Sequence, residues 1–275
     1  MGTIPLSPLG KATVYADRYD PALLYPVERA PQREELDLAG SLPFSGHDRW
    51  TAWEVFWLDA NGRAQVGIAT FDVPCDSPRI VESKSVKLWL VSMNAARFGA
   101  PEEVRASMVR ELSAATGTAV AVTLVLPDDW SALVRADPAG RVIDAEAPPN
   151  LPERPDAGVL ACAPGHSVAG ETLVSHAFRS LCPVTGQPDY ATIRIDYDGL
   201  GLDAAALSAY LAGFRSHPGF HEACVERIFV DIARACGPSR LVVEARFSRR
   251  GGVDINPVRA SAGALPAGVP PTLRQ

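Results

Sequence analysis

The sequence has no long apolar run: its longest, Ala119 to Leu126, falls far short of the ~20 residues that a membrane-crossing helix requires. The opening stretch MGTIPLSPLGKATVYADRYD has no basic segment followed by an apolar one, so it does not read as a secretory leader. Positive charge is in short supply as well. Lysine and arginine total 26 against 32 aspartates and glutamates, a net charge of −6. Proteins that hold long nucleic acids usually carry a basic excess that shows in the total, so a polyanion is not the expected partner. A local basic pocket for one phosphate stays open. Cysteine is sparse and odd in number: Cys75, Cys162, Cys182, Cys224 and Cys236 are widely spaced in a chain too large to need disulfide staples. They are expected to be mostly reduced, and these absences together point to a cytoplasmic protein.

What is present fits a globular chain. Of 275 residues, 47% are hydrophobic and 21% charged, enough for one large or two small domains. Trp53–Leu58 and Gln65–Val73 read as strands joined by Asp59-Ala60-Asn61-Gly62, whose Asn-Gly pair supplies a hairpin turn. Ser83–Phe98 suits a helix through Val86, Leu90 and Met93, although its Leu-Trp-Leu-Val run is also strand-like. Pro101 stands where a first helical residue would, ahead of the stripe Val104, Met108, Leu112, and Ala119–Leu126 reads as a strand. A proline-rich stretch from Pro127 to Gly170 then reads as a linker or excursion.

The order then recurs. Thr172–Leu181 and Tyr190–Tyr197 read as strands, and Ala204–Arg215 as a helix capped by Asp203. Val225, Ile228, Phe229 and Ile232 mark a second helix that stops at Gly237-Pro238. Leu241–Phe247 and Val253–Asn256 are the last strands, split by Gly251-Gly252. A duplicated strand-strand-helix-helix-strand unit predicts α+β modules, each an antiparallel sheet with helices on one face.

Five segments could carry chemistry, and each also has a plainer reading. Asp198 to Ala204 matches the dinucleotide fingerprint G-x-G-x-x-A. A helix-helix continuation and the negative charge of Asp203 both oppose a pyrophosphate there, so a tight turn is the preferred reading. His221-Glu222-Ala223-Cys224-Val225 opens like a zinc-protease helix, but Val225 stands where the second histidine would be. His221 and Glu222 read either as polar residues at a helix start, where Glu complements the dipole, or as a working imidazole and acid. Cys182 lies in Leu181-Cys182-Pro183-Val184-Thr185-Gly186-Gln187-Pro188-Asp189, a loop stiffened by two prolines. It reads either as a small buried hydrophobe or as a thiolate nucleophile with Asp189 and His221 as proton donors. Glu82-Ser83-Lys84-Ser85-Val86-Lys87 is either a helix cap with a solvated basic turn, or a site where Glu82 accepts from a heterocycle and Lys84 meets an anion. Ser248-Arg249-Arg250-Gly251-Gly252 is either a charged turn or a phosphate site.

Taken in order, Glu82–Trp89, Cys182–Asp189, Phe220–Phe229 and Arg249–Pro257 resemble the NADPH-dependent 7-cyano-7-deazaguanine reductases, the nitrile reductases of queuosine biosynthesis, in their long two-module form. Pro8-Leu9-Gly10-Lys11 and Tyr19-Asp20 extend the likeness toward the start. The resemblance implies a tunnelling fold: tandem T-fold modules assembling as a homodimer, with the site at a module interface. The expected layout is an N-terminal extension (1–45), a first module (46–130), a connecting segment (131–170), a second, catalytic module (171–260) and a disordered tail (261–275). The resemblance makes Cys182, Asp189 and His221 catalytic. Val81, Glu82, Ser83, His221 and Glu222 would frame the substrate, and Ser83, Lys84, Arg250 and Gly251 would contact NADPH. It implies two NADPH per nitrile, no metal, and no direct contact with nucleic acid or membrane. The rivals are a GTP cyclohydrolase-like zinc enzyme, for which the Cys and His spacings supply no ligand set, and a non-catalytic purine-binding module, which the joint presence of Cys182, Asp189 and His221 opposes.

Overall fold

A computed structural model describes residues 18–38, 40–146, 151–266 and 270–275. Pro8-Leu9-Gly10-Lys11 lies outside the described residues. The chain divides into two compact units: Met1–Pro31 with Arg49–Leu133 and Arg250–Val253, and Gln32–Asp48 with Val134–Arg249 and Asp254–Gln275. Both mix antiparallel sheet with a few helices. Among the described residues no helix is long and apolar enough to cross a membrane.

In the first unit, β1 (Pro26–Glu28) pairs antiparallel with β4 (Arg79–Val81). The short helix α1 (Ala30–Glu34) follows β1. The main strands are β2 (Ser45–Leu58), which enters from the second unit, β3 (Ala64–Pro74) and β5 (Ala121–Val125), in spatial order β5-β3-β2. The expected turn forms: Asp59 Oδ1 accepts the Asn61 and Arg63 amides, and Gly62 takes φ 81°, where a side chain would be strained. Helix α2 (Ser83–Ser92) settles the ambiguous Leu-Trp-Leu-Val run. Its buried stripe is Val86, Trp89 and Leu90, and Glu82 caps it. The helix stops short of Phe98 because residues 96–98 leave it to bond Leu58: the Leu58 amide donates to Ala96, and Phe98 donates to Leu58. Helix α3 (Pro101–Thr116) starts at its proline and ends at left-handed Gly117, with Val104, Met108 and Leu112 fully buried.

The second unit holds β6 (Arg141–Val142), β7 (Cys162–Leu181), β8 (Pro188–Leu202), α4 (Ala204–Ala212), α5 (His221–Cys236), β9 (Arg240–Phe247) and β10 (Val253–Ala260). The strand order is β10-β9-β8-β7-β6, antiparallel except for β6 beside β7. Asp203 caps α4 by accepting from Ala206. One sheet face is apolar: Ile193, Ile195 and Tyr197 of β8 lie with Leu241, Val243, Ala245 and Phe247 of β9, all essentially buried. The other face carries ion pairs, Arg194 with Asp196 and Arg240 with Asp196 and Asp198. Alternation along the strands separates the two sets.

Two expectations need correction here. The G-x-G-x-x-A stretch is neither turn nor nucleotide loop, because β8 continues through both glycines to Leu202, with Gly199 opposite Val168, before Asp203 caps α4. A side chain at Gly199 would meet Pro238 Cα at 3.0 Å, so glycine permits close backbone approach rather than a bend. The proline-rich stretch also ends earlier than expected, since β7 begins at Cys162. In the stretch expected to be a tail, Gln275 is buried, and its side-chain amide donates to Asn256 and to the Phe247 carbonyl.

Candidate active site

The second unit assembles its reactive groups on the hairpin between β7 and β8. Cys182 starts the connecting loop, which its backbone closes on itself: the Cys182 amide donates to Gln187 O at 2.9 Å, and the Cys182 carbonyl accepts from the Gly186 amide, also at 2.9 Å. Gly186 has φ 68°, which suits the tight closure. Cys182 is half-buried. Asp189, just past the loop, is 4% exposed and stands opposite Ser180 in the ladder.

A crossover segment brings helix α5 to this hairpin. The Leu181 amide donates to His217 O and Gly219 donates back to Leu181 O, both at 3.0 Å, so His217–Gly219 runs as a partial extra strand. Two residues later His221 opens α5. Its Nε2 lies 3.3 Å from Asp189 Oδ2, and its ring stacks on Phe247 with centroids 3.8 Å apart. Glu222 follows in the first turn, buried at 3% exposure. Cys224, one turn inside, differs from Cys182: burial pushes its thiol up to about 12, which makes it a poor thiolate source. Burial, with Arg227 as a second cause, holds the His217 imidazole below its ordinary range.

In the first unit, Val81 ends β4 in a buried position and Glu82 begins α2. Both Glu82 oxygens accept backbone amides, from Lys84 and Ser85 at 2.8 Å each. The helix-cap reading of Glu82 therefore holds, and further acceptance is left to the remaining lone pairs. Ser83 and Lys84 are half-buried on the first turn. Arg250 to Val253 forms a tight turn, with the Arg250 amide 2.9 Å from Val253 O and left-handed Gly251 and Gly252 at φ 61° and 78°. A Cβ on Gly251 would come 3.2 Å from Lys87 Cδ, so this turn packs on α2 beside a lysine that sequence reasoning did not single out for the cofactor. The signal was available: Lys87 lies three residues after Lys84, on the same helix face. Lys84 and Lys87 on α2 and Arg250 on the turn beside Lys87 are basic groups of this unit.

The structure thus groups Cys182, Asp189, His221 and Glu222 in the second unit, and Val81, Glu82, Ser83, Lys84, Arg250 and Gly251 in the first. The second unit's set holds a thiol, a buried acid beside an imidazole and a buried glutamate, and the first unit's set holds a helix-capping glutamate and a basic turn. Among the described residues no group of three or more His, Cys, Asp and Glu side chains is placed to hold a metal ion.

Comparison with known proteins gives concordant matches. Residues 15–124 match the family described as nitrile reductase, 7-cyano-7-deazaguanine reductase, N-terminal part, and residues 188–264 match the QueF-like protein family. Proteins called NADPH-dependent 7-cyano-7-deazaguanine reductase are similar over most of the length. The one from Burkholderia vietnamiensis is 49% identical over 93% of this chain and 93% of its own. The one from Burkholderia cenocepacia is 50% identical over the same shares, and that from Chromobacterium violaceum is 47% identical over 98% of this chain and 96% of its own.

Proposed function

The chain belongs to the NADPH-dependent 7-cyano-7-deazaguanine reductase family, and from that premise we propose how its residues carry the reaction. The reaction reduces the nitrile of 7-cyano-7-deazaguanine to the aminomethyl group of 7-aminomethyl-7-deazaguanine, a step toward queuosine in tRNA. Four electrons are needed, and two NADPH supply them as two hydrides. With two protons taken up, the neutral amine balances.

Cys182 is the nucleophile in our reading. Its sulfur attacks the nitrile carbon while Asp189 gives a proton to the nitrogen, forming a thioimide. This exchanges an inert triple bond for a C=N that accepts hydride. After the first reduction the carbon–sulfur bond breaks, the thiolate leaves with its electron pair, and the resulting imine takes the second hydride and a proton. His221 holds Asp189 from Oδ2 and supports the proton transfers. Glu222 and Glu82 accept the N–H groups of the deazaguanine edge through charge-assisted hydrogen bonds, with Val81 and Ser83 framing that edge. Ser83, Lys84, Arg250 and Gly251 receive NADPH, with Lys87 beside them. The observation that carries this reading is the 3.3 Å contact between His221 and Asp189 beside the loop that holds Cys182.

Further parts of the reading are that each unit is a T-fold module of a tunnelling fold, that the protein is a cytoplasmic homodimer, and that it acts on the free base without touching tRNA. The solution mass tests the dimer. Mixing the protein with the nitrile without NADPH tests the mechanism: a mass gain mapped to Cys182 is expected, and an unmodified Cys182 would overturn it. Two NADPH should be oxidised per nitrile, whereas a ratio of one would mean release at the imine.

A further inference from the structure

His221 is held at its tip by Asp189 and across its face by a residue that the mechanism above does not use. The side chain is 15% exposed and meets Asp189 Oδ2 through a single atom, Nε2, at 3.3 Å. That contact fixes the end of the imidazole but not the plane of its ring, because the torsion between Cβ and the ring is soft and broad. The plane is set by Phe247. Its ring lies against the imidazole with centroids 3.8 Å apart and planes 21° from parallel, an overlap of faces rather than an edge contact.

Phe247 is itself held from several sides. It is 1% exposed at the end of β9 and pairs with Ala191 of β8, which in turn pairs with Phe178 of β7. Residues abreast in a ladder share a face, so the small Ala191 stands between two phenylalanines, and the Phe178 ring meets Phe247 edge-on at 6.1 Å and 85°. Phe178 also packs on Phe214 at 5.2 Å, and the Phe247 carbonyl accepts the Gln275 side-chain amide at 3.0 Å. Strand alternation puts Asp189, two residues before Ala191, on that same face. One sheet face therefore offers both the carboxylate for the tip of the imidazole and a fixed aromatic plate for its plane.

We propose that Phe247 is a positioning residue for the nitrile reduction, its ring fixing the plane of the His221 imidazole so that Nε2 stays directed at Asp189 while the proton moves to the nitrile nitrogen. The inference rests on the roles given above to Cys182, Asp189 and His221. Phe247 gives and takes no proton or electron. The sulfur–carbon bond forms, the proton passes from Asp189 to nitrogen, and the ring only narrows the angles that the imidazole explores. A positioned acid or base contributes ~10²–10⁴-fold to a rate, so an imidazole with a loosened plane forfeits part of that factor.

The experiment follows adduct formation on the full-length protein, without NADPH, for wild type, Phe247→Leu, His221→Ala and the double variant. Leucine keeps most of the apolar volume and removes the flat face. Phe247→Leu should form the adduct roughly tenfold more slowly. Nitrile affinity, titrated calorimetrically in a Cys182→Ala background, should change far less. Because the ring acts through the imidazole, Phe247→Leu should add little to the loss already caused by His221→Ala, as residues that act as a unit do not add. A wild-type rate in the leucine variant overturns the proposal. So do losses that add in full in the double variant, or an affinity loss as large as the rate loss. Phe247→Met takes the place of Phe247→Leu if the latter does not fold. A second readout needs no chemistry. A stacked aromatic ring shifts the carbon-bound imidazole protons upfield, so in Cys182→Ala protein the His221 resonances should move on Phe247→Leu and hold on Phe247→Tyr, which keeps the ring. Resonances unmoved by Phe247→Leu overturn the proposal. Wild type that forms no adduct removes the Cys182 mechanism and this proposal with it, whereas wild type that reacts beside fully additive variants removes the proposal alone.

Discussion

Each unit opens a helix beside a buried glutamate, and the two glutamates are used differently. Glu82 is the N-cap of α2, with one oxygen on the Lys84 amide and the other on Ser85. Glu222 lies in the first turn of α5, whose cap position is held by Phe220 and supplies no side-chain acceptor. Both are 3% exposed and both sit in the positive field of a helix start. In the first unit, then, the carboxylate that would meet a ligand also terminates the helix. In the second unit no side-chain hydrogen bond caps α5, and the glutamate stands two residues past the cap position. Stability and substrate binding should be coupled at Glu82 and separable at Glu222.

The largest effect tests whether chemistry belongs to the second unit alone. Cys182→Ala should abolish the adduct and lower turnover by at least ~10³-fold, as expected for loss of a nucleophile. Its loop is closed through backbone groups rather than the thiol, so the melting temperature should hardly move. Reduction persisting in that variant would break the division of labour. Next in size, Glu222→Gln should weaken nitrile binding ~10–100-fold, the range for one charge-assisted hydrogen bond, with little change in melting temperature. Calorimetric titration of a Cys182→Ala background reads that affinity without turnover. Glu82→Ala should weaken binding and also cost about 1 kcal/mol of stability through the lost cap, read as a lower midpoint in denaturant. If the two glutamate variants lose equal stability, the contrast between the helix starts is wrong.

Much of this layout was legible in the sequence, and the failures have physical causes. Asn61-Gly62, Pro101 and Asp203 each mark a boundary through local chemistry that tertiary contacts leave intact. The long continuation of β8 was hidden because Gly199 and Gly201 read as a turn, whereas strand pairing to β7 and the neighbouring Pro238 set their conformation. The early stop of α2 was hidden because the bonds from residues 96–98 to Leu58 are non-local. At the site, motif order picked out Cys182, Asp189, His221 and Glu222, but no spacing could show that the His217–Gly219 crossover draws His221 onto Asp189.

The smallest effect expected is at the basic turn of the first unit, and it sharpens the comparison because it should touch binding without touching adduct chemistry. Arg250 is half-buried on a turn whose shape is kept by Gly251, Gly252 and the backbone bond to Val253, so removing its side chain leaves the turn intact. Lys87 packs beside Gly251 and supplies residual positive charge. Arg250→Ala should therefore raise the NADPH KM only several-fold, roughly the loss of one partly screened charge contact. The difference from wild type should shrink as salt is added, since such contacts are screened beyond ~8–10 Å at physiological ionic strength. Thioimide formation needs no NADPH and should proceed at the wild-type rate. Equal losses in adduct formation and in NADPH affinity would show that the turn shapes the nitrile site as well, and the assignment of this turn to NADPH alone would fail at that residue.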